Sequence, residues 1–141
     1  TKPKMNKIAL ITGASKGIGK ALSEKMLNEN FFVIGTSRSG EIKNFEHKNF
    51  YPLKLDLSNT ESIENAHREI FGNFKHIDFL INNAGIGPDL DTLIPEKESF
   101  NLTFDVNVTG TVFFTEPLIE LINEFDSGTF WNSENETELL W

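Results

Sequence analysis

The chain's 141 residues, 38% of them hydrophobic, are enough to bury the core of one domain, and a single domain over 1–141 is the expectation. A net charge of −8, with no basic patch to neutralise phosphates, excludes nucleic acid and anionic membrane surfaces as partners; the Lys2–Lys7 group reads as a solvated terminus. With no Cys, disulfides and thiol catalysis fall away, and His47, His67 and His76 lack metal-ligand spacing, so no metal is expected.

No apolar run approaches a membrane-spanning length, and residues 1–7 lack a signal peptide's apolar region. The reading is a cytoplasmic protein. The Asn-x-Thr triplets at Asn101, Asn107 and Asn135 are then chance matches, not glycosylation sites.

In chain order, residues 7–12 form a first strand, apolar enough to be buried on both faces. A helix from Gly17 to Asn30 follows, its buried stripe predicted as Ile18, Ala21, Leu22 and Met26. Phe31-Phe32-Val33-Ile34 is a second buried strand, closed by the turn Ser37-Arg38-Ser39-Gly40. After a polar stretch over 41–50, a third strand covers 50–55, with Asp56 at its carboxyl end. Ser58 and Glu61 have the spacing of a capping box, predicting a helix with Ile63, Ala66, Ile70 and Phe71 buried and Gly72 as its stop. The fourth strand, 77–81, ends in Asn82-Asn83-Ala84-Gly85. An irregular loop over 86–97 leads into a long helix, 99–125, which Pro117 should kink.

Apolar strands alternating with amphipathic helices specify an α/β fold: an open, doubly wound, mostly parallel sheet of order 3-2-1-4, with helices on both faces. Residues 128–133 begin like a partial fifth strand, and 129–141 form an atypical tail. Ligands of such sheets bind beyond the carboxyl ends of the strands. The glycine turn, Arg38, Asp56 and the Asn-Asn-Ala-Gly segment all fall there.

Gly13, Gly17 and Gly19 lie between the first strand and the first helix. Without Cβ atoms the backbone can approach a pyrophosphate, and the helix N-terminus presents free N–H groups and a positive dipole end. Sites for NAD place an acid about 20 positions past such a turn, where it accepts from the ribose 2′-OH. Here that neighbourhood carries Ser37 and Arg38; Glu41 lies in the turn beyond, and Lys16 stands in the glycine loop. Two cations and two hydroxyls favour a 2′-phosphate, hence NADP(H) over NAD(H).

These segments resemble the short-chain dehydrogenase/reductase family. Thr12-Gly13-Ala14-Ser15-Lys16-Gly17-Ile18-Gly19 is similar to its cofactor motif and Asp56-Leu57 to its adenine-contacting pair. Asn82-Asn83-Ala84-Gly85 is similar to its cleft-lining segment, and Asn107 to the helix Asn that holds a water of its proton relay. The resemblance covers roughly residues 5–128. It implies a Rossmann-type fold, hydride transfer between NAD(P)(H) and a small alcohol or carbonyl, and cofactor contacts at Gly13, Ser15, Lys16, Gly17, Ile18, Gly19, Ser37, Arg38, Asp56, Leu57, Asn83, Ala84 and Gly85. Only Asn107 is carried over to a catalytic position.

The family's catalytic Tyr-x-x-x-Lys is not among these residues. The sole Tyr is Tyr51, and no Lys follows Lys97. General acid catalysis contributes roughly 10²–10⁴-fold, so the isolated chain is expected to bind cofactor without appreciable turnover. Beyond Gly128 the sequence turns acidic, which reads as a shortened or frame-altered relative; Ser133 reads as part of a polar tail. Asp89 and Asp91 border the family's substrate region. Phe104, Val108, Val112, Phe113 and Leu118 give the long helix more apolar surface than one sheet face needs, which predicts a homo-oligomer. The alternative is a non-catalytic nucleotide-binding or oligomerising module.

Overall fold

The computed structural model describes residues 5–43, 46–87 and 96–122, together with backbone strands at 129–132 and 137–140. Asp89, Asp91 and Ser133 lie outside the described residues, as does the long helix beyond Ile122.

Four parallel strands, β1 (Ile8–Ile11), β2 (Phe32–Ser37), β3 (Phe50–Lys54) and β4 (Phe79–Ile81), form one sheet in the order β3-β2-β1-β4. Side chains alternate across each strand, so Leu10 and Ile34 enter one core while Ile11 and Val33 enter another. The first core is covered by α2 (Thr60–Asn73) and α4 (Thr111–Leu118), through Ile63, Ala66, Ile70, Phe114 and Leu118. The second is covered by α1 (Gly17–Asn28), through Leu27 with Leu22 and Met26 beside it. Helices thus occupy both faces, as the fold class requires.

α1 is rotated from the predicted stripe. Its buried residues are Gly19, Ser23 and Leu27, whereas Ile18 is 79% exposed and Ala21 is exposed. The rotation follows from close approach: a Cβ on Gly19 would overlap the Gly13 carbonyl oxygen, so the glycine must face the strand. Ser23 is tolerated on that face because its hydroxyl donates to the Gly19 carbonyl at 2.7 Å.

α2 is capped one residue later than the capping box predicts. The Ser58 hydroxyl is committed to Asp56 Oδ1 at 2.6 Å, and Asn59 Oδ1 accepts from the Ser62 N–H at 2.9 Å instead. Gly72 does not stop the helix, which runs to Asn73, and Phe71 is exposed.

The long helix departs from α geometry well before Pro117. α3 (Lys97–Phe104) passes into a π-helical segment, Asp105–Gly110, before α4 begins. Pro117 lies in the last turn of α4, after which the chain tightens into a 3₁₀ turn, Ile119–Leu121. The π segment has a partner across the fold: Gly110 is buried, and a Cβ there would overlap the Leu57 carbonyl oxygen.

Within the predicted strand start at 128–133, a strand forms as β5 (Thr129–Asn132). It does not extend the parallel sheet, pairing antiparallel with β6 (Thr137–Leu140) in a sheet of its own. Beside β4, Ile77 makes a parallel bridge to Ile122, with its N–H on the Leu121 carbonyl at 2.8 Å.

Candidate cofactor site

The carboxyl ends of β1 and β4 are tied together by one buried hydroxyl. Thr12 is 1% exposed, and its Oγ1 accepts from the backbone N–H groups of both Asn83 and Ala84 at 3.0 Å. Asn83 answers by donating through Nδ2 to the carbonyls of Thr12 at 3.0 Å and Gly13 at 3.2 Å. Thr36 of β2 holds the loop from the other side, its Oγ1 accepting from Gly13 N and its carbonyl from Ala14 N. Thr12 opens the glycine motif but is not among the cofactor contacts it implies, and Thr36 lies outside every motif. The available signal is positional: each hydroxyl follows a buried apolar run and meets backbone donors at the sheet's carboxyl edge.

So braced, the glycine turn opens outward. Gly17 has φ +58, and a Cβ there would meet nothing within 4 Å. Ser15, Lys16, Gly17 and Ile18 are all exposed. No side chain caps the first turn of α1, and no acid stands in it. An uncapped helix N-terminus beneath open space, with a lysine beside it, suits an anionic group such as a pyrophosphate.

At the end of β2, Ser37 is buried and Arg38 exposed. The Ser37 and Ser39 hydroxyls both donate to the Glu41 carbonyl at 3.2 Å, and Ser39 Oγ also accepts from the Glu41 N–H. The serines thereby brace the turn, and Arg38 is the group left facing outward. Asp56 at the end of β3 is held below the usual carboxylate range, first by the Ser58 hydroxyl, then by the Ser58 N–H and the nearby charges of Arg38 and Lys54, with burial opposing. Leu57 is buried in the core, with its backbone carbonyl against Gly110.

Ala84 lies against Gly13, where an added Cβ would be 3.0 Å from Ala84 Cα, and Gly85 is exposed beside Asn107. Asn107, in the π segment, makes a reciprocal pair with Ile86: Nδ2 donates to its carbonyl at 2.7 Å, and Oδ1 accepts from its N–H at 2.8 Å. The side chain thus pins the segment after β4 to the helix. Asn82 does likewise, donating to Thr115 Oγ1 at 3.0 Å.

Tyr51 lies apart from this cleft, on edge strand β3. Its hydroxyl donates to Glu69 Oε1 at 2.6 Å, and that bond, with burial and the Glu69 charge, pushes the phenol up to about 12. A proton donor that must cycle near neutrality needs the opposite shift. Among the described residues no group of three or more His, Asp or Glu could hold a metal ion, and no helix is long and apolar enough to cross a membrane.

A nucleotide-binding parallel sheet of order 3-2-1-4, with a glycine turn at its first crossover, is the class that this geometry defines. The sequence model described as short chain dehydrogenase matches residues 7–130. The chain is 36% identical over 124 residues to oxidoreductase C162.03 of Schizosaccharomyces pombe, covering 84% of this chain and 41% of that protein. It is 35% identical over 118 residues to the 3-oxoacyl-[acyl-carrier-protein] reductase FabG of Buchnera aphidicola, covering 80% and 48%. A short chain dehydrogenase from Leptospira borgpetersenii, solved with bound NAD+, superposes with a TM-score of 0.69 at 30% identity, covering 82% of this chain and 46% of that one. The chain belongs to the short-chain dehydrogenase family and spans less than half the length of these relatives.

Proposed function

We propose that the chain binds NADP(H) at the carboxyl edge of the parallel sheet, in preference to NAD(H). In this reading Gly13, Ser15, Lys16, Gly17, Ile18 and Gly19 take the pyrophosphate, and Arg38 beside Ser37 takes the adenosine 2′-phosphate. Asp56 and Leu57 border the adenine, while Asn83, Ala84 and Gly85 line the cleft. The observation that carries the preference is Arg38: exposed at the end of β2, it stands where an acid would bind a ribose diol, and the neighbouring hydroxyls are spent on the turn. The Leptospira relative holds NAD+, so the preference rests on these local charges and not on family membership.

The family reaction, hydride transfer between the cofactor and a small alcohol or carbonyl, is proposed for the protein as a whole. The 141 residues by themselves hold no Tyr-x-x-x-Lys, and we read them as binding without catalysing. Isothermal titration should give tighter binding of NADPH than of NADH, with Arg38→Ala removing the difference. Gly17→Val, which fills the open space and strains a positive φ, should weaken both cofactors by about tenfold or more. Equal affinities in the wild type would reject the NADP assignment, and NADPH oxidation on a panel of ketones would reject the non-catalytic reading.

A second reading, an oligomerising module in a cytoplasmic setting, draws on the long helix. Phe100, Phe104, Val108 and Val112 recur every four residues and are about half exposed, with Phe113 beside them at 62%. Leu118, predicted for this face, is instead fully buried. Sedimentation should show a self-associated species that Val112→Glu with Phe113→Glu dissociates; a wild-type monomer at high concentration would end this reading.

A further inference from the structure

We infer that Lys54 is a further cofactor-selecting residue, set beside Arg38 so that the two share the adenosine 2′-phosphate. This rests on the NADP(H) reading above and names a residue that the cofactor motifs do not contain. Lys54 is the last residue of β3 and is paired in register with Ser37, the last residue of β2, so Lys54 and Arg38 lie one register step apart at the carboxyl ends of neighbouring parallel strands. Both line one cleft of about 540 Å³, together with Asp56 and, from the α2 side, Ser62 and Asn65. The turn folds down onto the lysine: Gly40 has φ +79, and a Cβ there would be 3.0 Å from Lys54 Cβ. The stem of Lys54 is thus fixed beneath the turn that carries Arg38.

The cleft is lined by two cations, Arg38 and Lys54, and by three carboxylates, Asp56, Glu61 and Glu69. Among the described residues neither Arg38 nor Lys54 comes within ion-pair distance of a carboxylate. Glu61 and Glu69 also line the cleft, and Glu69 is engaged by the Tyr51 hydroxyl. Asp56 interacts electrostatically with both cations, and its oxygen Oδ1 accepts from the Ser58 N–H and hydroxyl. With the Ser37 and Ser39 protons given to the Glu41 carbonyl, a dianionic phosphate arriving here finds cations as its principal donors.

The test uses 2′,5′-ADP against 5′-AMP, which differ only in the 2′-phosphate, and reads the ratio of their dissociation constants by titration calorimetry. Lys54→Met keeps the stem packed under Gly40 and removes the charge. It should weaken 2′,5′-ADP about five- to tenfold while leaving 5′-AMP within about twofold, and Lys54→Arg should restore the ratio. An unchanged ratio in Lys54→Met, or equal loss for both ligands, overturns the assignment. The wild type and Arg38→Ala separate the two levels. If the wild type binds both nucleotides alike, the NADP(H) reading fails and takes this one with it. If Arg38→Ala lowers the ratio and Lys54→Met does not, this inference alone is overturned. Matching thermal midpoints for wild type and Lys54→Met establish that the comparison is made between folded proteins.

Discussion

Gly19→Ala is expected to destabilise the chain by about 3 kcal/mol or more, a large effect for one methyl group. The added Cβ would overlap the Gly13 carbonyl oxygen and come within 2.5 Å of Asn83 Nδ2. Neither is the free end of a flexible side chain. The carbonyl is backbone, and Asn83 Nδ2 is the group that holds Thr12 and Gly13. Relief requires α1 to move away from β1, which uncovers the core around Leu27 and Val33. Gly17→Ala makes the informative contrast. Its φ of +58 carries a cost of about 1–2 kcal/mol, yet its Cβ would enter open space. Urea unfolding midpoints should therefore fall much further for Gly19→Ala, while Gly17→Ala stays folded and loses cofactor affinity. A Gly19→Ala protein as stable as the wild type would mean that the close approach of α1 to the loop is not the constraint described here.

Much of the architecture was legible because it follows from apolar runs. Ile8–Ile11 and Phe32–Ile34 could be read as doubly buried strands, and their alternation with helices gave the sheet order. The details that escaped are those set by contacts between distant residues. The rotation of α1 is fixed by the Gly13 carbonyl, so its face centres on a glycine and a serine; of the apolar stripe Leu22 and Met26 stay against the core while Ile18 and Ala21 are exposed. The cap of α2 shifts from Ser58 to Asn59 because Asp56, an ionised neighbour, takes the serine first. The π segment is marked by contacts with distant residues, Gly110 against Leu57 and Asn107 against Ile86. At the site, the glycines, Arg38 and Asp56 were legible from type and position. The commitment of Ser37 and Ser39 to the turn, and the nearness of Lys54, required the register of β2 on β3.

Thr12→Val is expected to cost about 2–4 kcal/mol although it changes side-chain volume very little. The hydroxyl is buried, and it accepts two backbone N–H groups, those of Asn83 and Ala84. Valine fills the same space and can accept neither, so the Ala84 N–H would lose its acceptor and the Asn83 N–H would keep only the Ile81 carbonyl at 3.1 Å. A buried unpaired donor costs about 1–3 kcal/mol, and the Ala84 N–H can be relieved only by pulling the segment after β4 away from β1. That displacement also takes Asn83 Nδ2 from the carbonyls of Thr12 and Gly13, which shape the glycine turn. Stability and cofactor affinity should therefore fall together in Thr12→Val. Thr12→Ser, which keeps the oxygen and gives up a methyl, should recover most of both. Hydrogen exchange separates the hydrogen-bond argument from a packing argument. The Asn83 and Ala84 amides should lose protection in Thr12→Val and keep it in Thr12→Ser. If both variants lose stability equally while those amides remain protected, the packing of the side chain and not its hydrogen bonds is what joins β1 to β4.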